Sequence, residues 1–212
     1  MAEATFCDLP LLTAPGMVMT PRPASEELVA AASERIRGRG ARVAEVGTGS
    51  GAVAASLARR VRDAEIWASD ISAAAVLLAR ANARRLGVGE RVHVLRGDLL
   101  EPLPGDFDLI VANLPYLPEA DQPRYPALAG EPPDAVFAAG DGLGLYRRLL
   151  RSAEQRLRAD GAVVIQLHRR ILLAERADLG TLRAALREFG FDSAERTEKP
   201  GSSEPIAVAA VA

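Results

Sequence analysis

Glu45-Val46-Gly47-Thr48-Gly49-Ser50-Gly51 decides the fold of this chain. The stretch stands between a short apolar run, residues 42–46, and an Ala-rich run, residues 51–60, of helical composition. Glycines at every second position let the backbone turn at positive φ and let a ligand come close to it. The helix that follows presents its free N–H groups at the same point. Strand, glycine turn and helix in this order open one half of a nucleotide-binding α/β sheet. Gly47, Gly49 and Ala52 also satisfy the G-x-G-x-x-G/A spacing of dinucleotide folds. The loop by itself therefore leaves a nicotinamide cofactor and S-adenosylmethionine both open, with a plain tight turn as the bland alternative. The tighter G-x-G-x-G pattern, with Glu45 two residues before the first glycine, favours S-adenosylmethionine.

Outward from this loop, apolar strands alternate with helical segments, the pattern of a mostly parallel sheet with helices on both faces. Helix 25–37 has Ser25 as N-cap and Glu26 and Glu27 in its first turn. Strand 42–46, helix 51–60, strand 65–70 and helix 73–86 follow, the last stopped by Gly87. Then come strands 92–96 and 107–112, a long loop, helix 143–158, strand 162–166 and helix 178–189. Segments 193–197 and 206–211 close the chain as an antiparallel hairpin. The reading predicts an extension over residues 1–20 and a single domain over residues 21–212, with no repeat and no linker.

Polar residues stand where successive parallel strands end, the place where open α/β sheets form their crevice. Asp70 closes the second strand, roughly 20 residues past the glycine turn, where an acid accepts ribose hydroxyls. Asp98 follows the third strand and is placed to accept an adenine amino group, with Leu99 packing on the ring. Each Asp taken alone also reads as a helix cap or turn former. Asn113-Leu114-Pro115-Tyr116 follows the fourth strand. The Asn113 side-chain oxygen and the Leu114 carbonyl can each accept one N–H of a planar amino group, a carboxamide or the exocyclic amine of a base. Pro115 stiffens the turn, and Tyr116 can stack on a flat substrate. The loop 115–133 carries six of the fourteen prolines. A loop that long is usually functional, so it is expected to wall the substrate pocket, with Tyr125 and Glu119 as candidate lining residues. A proline-stiffened surface loop is the competing reading.

Composition narrows the classes. The chain has 212 residues, 49% of them hydrophobic, enough for one full core. Its 26 basic and 28 acidic side chains leave a net charge of −2, which argues against a wholesale nucleic-acid binder. The only Lys is Lys199. Arg clusters at 35–42, 59–62, 80–85 and 147–158 read as solvated helix faces. Cys7 is the sole cysteine, so no internal disulfide and no thiolate metal cluster can form. His93 reads as a satisfied strand histidine, and His168 as a residue that could border the site. Trp67 reads as core. No apolar stretch reaches the ~20 residues of a membrane helix, and the acidic N-terminus is no secretory signal, so a cytoplasmic protein without metal or membrane is expected.

With those residues in view, the chain resembles the HemK/PrmC protein-glutamine methyltransferases from about Thr20 to Ile165. The likeness runs through Pro21-Arg22-Pro23, Glu45–Ala54, Ala68–Ser72, Ala79–Asn82, Gly97–Leu100, Phe107–Asp121, Glu131-Pro132 and Asp141–Leu150. Many methyltransferases share the glycine loop; PYLPEAD combined with DGLGLYRRLL is far more specific. The resemblance implies a class I S-adenosylmethionine-dependent methyltransferase, a Rossmann-like α/β fold with a seven-stranded, mostly parallel sheet. It implies transfer of a methyl group to the side-chain amide of Gln in a peptide-chain release factor. It assigns the cofactor to Glu45, Gly47, Thr48, Gly49, Gly51, Asp70, Ile71, Asp98, Leu99 and Asn113, and the acceptor to Asn113, Leu114, Pro115 and Tyr116. The family usually has Pro where Leu114 stands, and NLPY is also typical of dimethyladenosine methyltransferases of ribosomal RNA. Bacterial members carry an N-terminal helical domain that helps grip the release factor; the single-domain members lack it and work with a small partner protein. The acceptor thus stays open between a protein amide and an adenine or small-molecule amine, and a non-catalytic cofactor-binding module is the remaining alternative.

Overall fold

The computed structural model describes residues 1–36, 40–167, 193–197 and 206–210. The expected helix 178–189 and His168 lie outside them. In chain order the elements are β1 (Ala2–Phe6), β2 (Leu9–Thr13), α1 (Ser25–Arg35), β3 (Arg42–Val46), α2 (Ala52–Arg60), β4 (Glu65–Asp70), α3 (Ala73–Arg85), β5 (Val92–Arg96) and β6 (Phe107–Ala112). They continue with β7 (Leu117–Pro118), β8 (Phe137–Ala138), α4 (Gly144–Ala153), β9 (Leu157–Gln166), β10 (Ser193–Thr197) and β11 (Ile206–Ala210).

Seven strands form the central sheet in the order β10-β11-β9-β6-β3-β4-β5. β9, β6, β3, β4 and β5 run parallel, and β11 is antiparallel to both of its neighbours. The chain steps from β3 outward to β4 and β5, then returns to the other side of β3 as β6. The crevice beyond the carboxyl ends of β3 and β6 is therefore the topological switch point of the sheet, where ligands of such folds bind.

Side chains alternate across the sheet as the two-residue period of a strand requires. Val43, Ile66, Leu109, Val111 and Val164 pack with α1, α2 and α3 on one face. Ala44, Val46, Ile110, Ala112, Val163 and Ile165 pack with Tyr146, Leu149 and Leu150 of α4 on the other. Both faces are covered, which is why β3 and β6 read as continuous apolar runs rather than alternating ones.

Three features depart from the sequence reading. The first is the hairpin β1–β2, which the first twenty residues did not announce. Its two-residue turn, Cys7-Asp8, holds both residues at positive φ, 48° and 60°, the geometry that matches strand twist. Phe6 and Leu11 enter the main core. Asn82, fully buried, receives the Leu12 N–H at 2.8 Å and donates to the Leu12 and Ser50 carbonyls at 3.0 and 2.8 Å. One side chain thus joins the hairpin, α3 and the glycine loop. The second is α4, expected over 143–158 but ending at Ala153, because β9 begins at Leu157 and pairs with Phe107 of β6. The third concerns the Arg clusters. Arg80 donates to the Val94 carbonyl and Arg156 to the Leu100, Leu103 and Gly105 carbonyls. These side chains tie off backbone of edge strand β5 and of the loop leading into β6 rather than simply coating solvated faces.

Candidate active site

The glycine loop turns as its sequence demands. Gly47, Gly49 and Gly51 have φ of 72°, 55° and 77°, a region costly to any residue with a Cβ. A Cβ on Gly47 would lie 2.8 Å from Leu114 Cδ2, so this glycine also lets the β6 loop lie against the β3 loop. Gly51 is placed otherwise than expected. It does not line the cavity, and a Cβ on it would lie 2.9 Å from that of Ala79. Its role is packing α2 on α3.

Carboxylates and a carbonyl pin the loop. The Ser69 carbonyl accepts the Gly47 and Thr48 N–H groups at 2.9 and 3.0 Å. Asp70 accepts the Gly49 N–H on Oδ2 at 2.8 Å and the Ser72 N–H on Oδ1 at 2.9 Å. Each Asp70 oxygen keeps a lone pair for a further donor. Glu45 is buried beneath the loop, where its Oε2 receives the Thr48 hydroxyl at 2.6 Å and the Ala54 N–H at 3.0 Å. Burial pushes its carboxyl up to about 8, with the nearby Asp70 charge adding to the rise, while the two hydrogen bonds oppose it.

A cleft of about 510 Å³ follows the carboxyl ends of β3, β4 and β5. Glu45, Gly47, Thr48, Gly49, Asp70, Ile71, Asp98, Leu99 and Asn113 all border it, as do Leu114 and Pro115. Asp98 pairs with Arg148 of α4 at 2.6 Å through Oδ2, leaving Oδ1 for a ligand. Leu99 sits at φ 47°, held by the Ser69 hydroxyl on its carbonyl at 2.6 Å. A second cavity of about 270 Å³ opens on the other side of the β6 loop and is bordered by Tyr116, Tyr125 and Leu128. Met19, Arg22, Ser25, Asn113, Leu114, Pro115 and Ala135 border both, so the two spaces meet at Asn113-Leu114-Pro115.

At that junction two hydroxyls hold Asn113 and Leu114. Asn113 donates its Nδ2 to Ser25 Oγ at 3.1 Å, which leaves Oδ1 as the free end of the amide. Ser25 is the first helical residue of α1, and the N-cap is Ala24, with no side-chain cap. The expected capping role of Ser25 is thus replaced by a contact to Asn113, 88 residues away. Leu114 donates its N–H to the Tyr146 hydroxyl at 3.0 Å. The loop after Tyr116 is folded, with short 3-10 turns at Glu119–Arg124, Pro126–Leu128 and Pro133–Ala135 and the parallel pair β7–β8. Leu117, Val136 and Phe137 form its own small core, against which Tyr125 packs. Tyr125 borders the second cavity and Glu119 does not.

Ser25, Tyr146 and Arg148 hold site residues through contacts that no local sequence spacing signals. Tyr146 stands in an apolar stripe with Leu149 and Leu150, which signals core and nothing more. His93 contacts Glu65 at 3.1 Å and stacks near Trp67, away from both cavities. Among the described residues no His, Cys, Asp and Glu group could hold a metal ion, and no helix is long and apolar enough to cross a membrane.

Comparison with known proteins bears on this geometry. A family model described as "Methyltransferase small domain" matches residues 13–129. The chain is 40% identical over 171 residues to the release factor glutamine methyltransferase of Gloeobacter violaceus, covering 79% of this chain and 59% of that one. It is 38% identical over 192 residues to that of Deinococcus radiodurans, covering 90% and 66%. The chain thus spans less than two thirds of the length of these relatives. Among solved structures, the hMettl16 catalytic domain in complex with the MAT2A 3′UTR hairpin 6 superposes with a TM-score of 0.75 at 17% identity, covering 94% of this chain and 74% of that one. A ribosomal protein L11 methylase from Lactobacillus delbrueckii subsp. bulgaricus gives 0.64 at 23%, covering 93% and 83%. These neighbours establish the class I methyltransferase fold.

Proposed function

This chain belongs to the methyltransferase small domain family, and we propose that it transfers the methyl group of S-adenosylmethionine to the side-chain amide nitrogen of a glutamine in a peptide-chain release factor. The observation that carries the reading is the junction of the two cavities at Asn113 and Leu114. A cofactor in the larger space and an amide in the smaller one would face each other only there.

The larger cleft suits S-adenosylmethionine. Its floor is the glycine loop, where Gly47 and Gly49 present bare backbone between Glu45 and Ser50, and Asp70 and Asp98 at its edge each retain a free lone pair. Asp70 would hold the ribose and Asp98 the adenine amine, with Ile71 and Leu99 as apolar walls. When bound, the cofactor supplies an electrophilic methyl group on sulfur. The protein must make a poor nucleophile attack it, because an amide lone pair is delocalised into its carbonyl. Asn113 Oδ1 and the Leu114 carbonyl would each take one N–H of the acceptor amide, raising electron density on nitrogen and fixing its direction. Such preorganised acceptors are worth several powers of ten in rate. No base acts before transfer, since the nitrogen becomes acidic only once methylated. Pro115 shapes the turn, and Tyr116 and Tyr125 offer apolar walls to the acceptor's aliphatic stem.

The test is incubation with methyl-labelled S-adenosylmethionine and a purified release factor, followed by peptide mapping. Label on the glutamine of the Gly-Gly-Gln loop, abolished by Asn113→Ala with cofactor affinity retained, is the expected result. Binding of cofactor without label on the release factor would reject the acceptor. The same two acceptors could hold an adenine amine, the reading favoured by Leu in NLPY; label in an RNA acceptor under the same conditions would select it.

A further inference from the structure

Tyr146 lies on α4, and its ring is buried to 2% exposure. Its hydroxyl sits between two strands that have just parted. From Leu109 opposite Ala162, β6 and β9 run in register as far as Ala112 opposite Ile165. The next backbone groups would continue the ladder, but β6 turns away as Asn113-Leu114. The hydroxyl fills the gap. It accepts the Leu114 N–H at 3.0 Å and donates to the Gln166 carbonyl at 2.7 Å. The Leu114 carbonyl lies farther off, at 3.4 Å. The single hydroxyl proton is committed to Gln166, so the Leu114 carbonyl keeps its lone pairs. A hydroxyl is donor and acceptor at once, and so it can bridge an N–H and a C=O that are too far apart to meet.

We infer that Tyr146 is the positioning residue for the acceptor turn: its hydroxyl splices the end of the β6–β9 ladder and holds the Leu114 carbonyl at the junction of the two cavities. The inference rests on the proposed amide transfer for its effect on rate. The constraint matters here because residue 114 is Leu. A proline at this position has a φ set by its ring and no N–H to satisfy. A leucine has neither property, and an N–H buried without a partner is costly. The Tyr146 hydroxyl satisfies the donor and fixes the Asn113–Leu114 peptide that leads into the carbonyl. Gly142, four residues earlier, packs directly on the Tyr116 carbonyl, so α4 and its leading turn brace the backbone on both sides of Pro115. Without the hydroxyl, the Leu114 N–H either stays unpaired or shifts to reach the Gln166 carbonyl. The second course draws the Leu114 carbonyl out of the junction.

The experiment is Tyr146→Phe in the chain with Leu114 and in the chain carrying Leu114→Pro. With Leu114 present, kcat for methyl transfer should fall roughly 10²-fold, the cost of a misplaced reacting group, while cofactor Kd measured by calorimetry stays within about twofold. In the proline background the same substitution should cost about tenfold less, because there is no N–H to orphan. Hydrogen exchange at the Leu114 amide supplies a readout independent of activity. It should be slow in the native chain, comparable to Ile110 in β6, and should quicken about tenfold or more in Tyr146→Phe. Unchanged kcat, or an equal loss in both backgrounds, would overturn the inference. If the native chain binds cofactor but methylates no acceptor, the functional reading fails, and the exchange result alone decides the role of Tyr146. If Tyr146→Phe does not fold, fast exchange of the Leu114 amide in the native chain would overturn it.

Discussion

Glu45→Gln tests how the glycine loop is held. The Glu45 carboxyl ionises in the unfolded chain near 4.5 and in the folded chain near 8. A carboxyl whose value rises on folding binds its proton more tightly in the native state. Its contribution to stability is complete below about 4.5, is lost as pH rises through about 8, and is level above that. The interval of about 3.5 pH units is worth about 5 kcal/mol at 1.36 kcal/mol per unit, an upper figure. Glutamine keeps the shape and an oxygen able to accept from both Thr48 and Ala54, but carries no titrating group. Urea unfolding of both chains from pH 5 to 9 should therefore show the variant gaining on the native protein as pH rises, by at least about 2 kcal/mol by pH 8.5. The two chains differ only at residue 45, so titrations elsewhere cancel. A stability difference that stays flat across this range would refute the buried, proton-retaining Glu45.

Asn113→Ala should reduce methyl transfer by roughly 10³-fold, since one of two transition-state acceptors is removed; equal loss of cofactor affinity in calorimetry would remove the role given to it. Gly47→Ala places a Cβ 2.8 Å from Leu114 Cδ2 at a φ of 72° and should cost about 2–3 kcal/mol in denaturant unfolding. Adding Leu114→Ala should recover the clash but not the backbone strain, and full recovery would show the strain to be absent. Asn82→Ala deletes a fully buried side chain with three hydrogen bonds and should destabilise by about 3 kcal/mol or more. A change below about 1 kcal/mol by the same unfolding assay would mean water replaces the side chain.

Much of the fold was legible because its signals are local. The boundaries of β3, β4, β5 and β6 match the apolar runs 42–46, 65–70, 92–96 and 107–112. β3 and β6 are buried on both faces and carry a dense pattern, while β5 at the sheet edge shows the alternation of a half-buried strand. The hairpin β1–β2 escaped because Cys7-Asp8 is a rare way to write a two-residue turn at positive φ. The end of α4 was overdrawn because helical composition continues past Ala153, while the pairing of Leu157 with Phe107 is a tertiary contact. In the candidate site, residues announced by strand ends and glycine spacing lie together along one cleft. Gly51 and Glu119 do not border it, since spacing says where a residue stands in the chain and not which way it faces.

By itself the sequence determined the alternation of strands and helices, the turn at Gly47–Gly51 and the placing of Asp70, Asp98 and Asn113 at strand ends. All three follow from backbone preferences acting over a few residues. Only the tertiary structure decided that Ser25 would aim Asn113, that Tyr146 would hold Leu114 and that burial would push the Glu45 carboxyl above its ordinary value. The first two are hydrogen bonds across 88 and 32 residues, and the third is set by the loss of water around one carboxyl. Such quantities depend on what the folded chain brings beside a residue, and no local spacing encodes them.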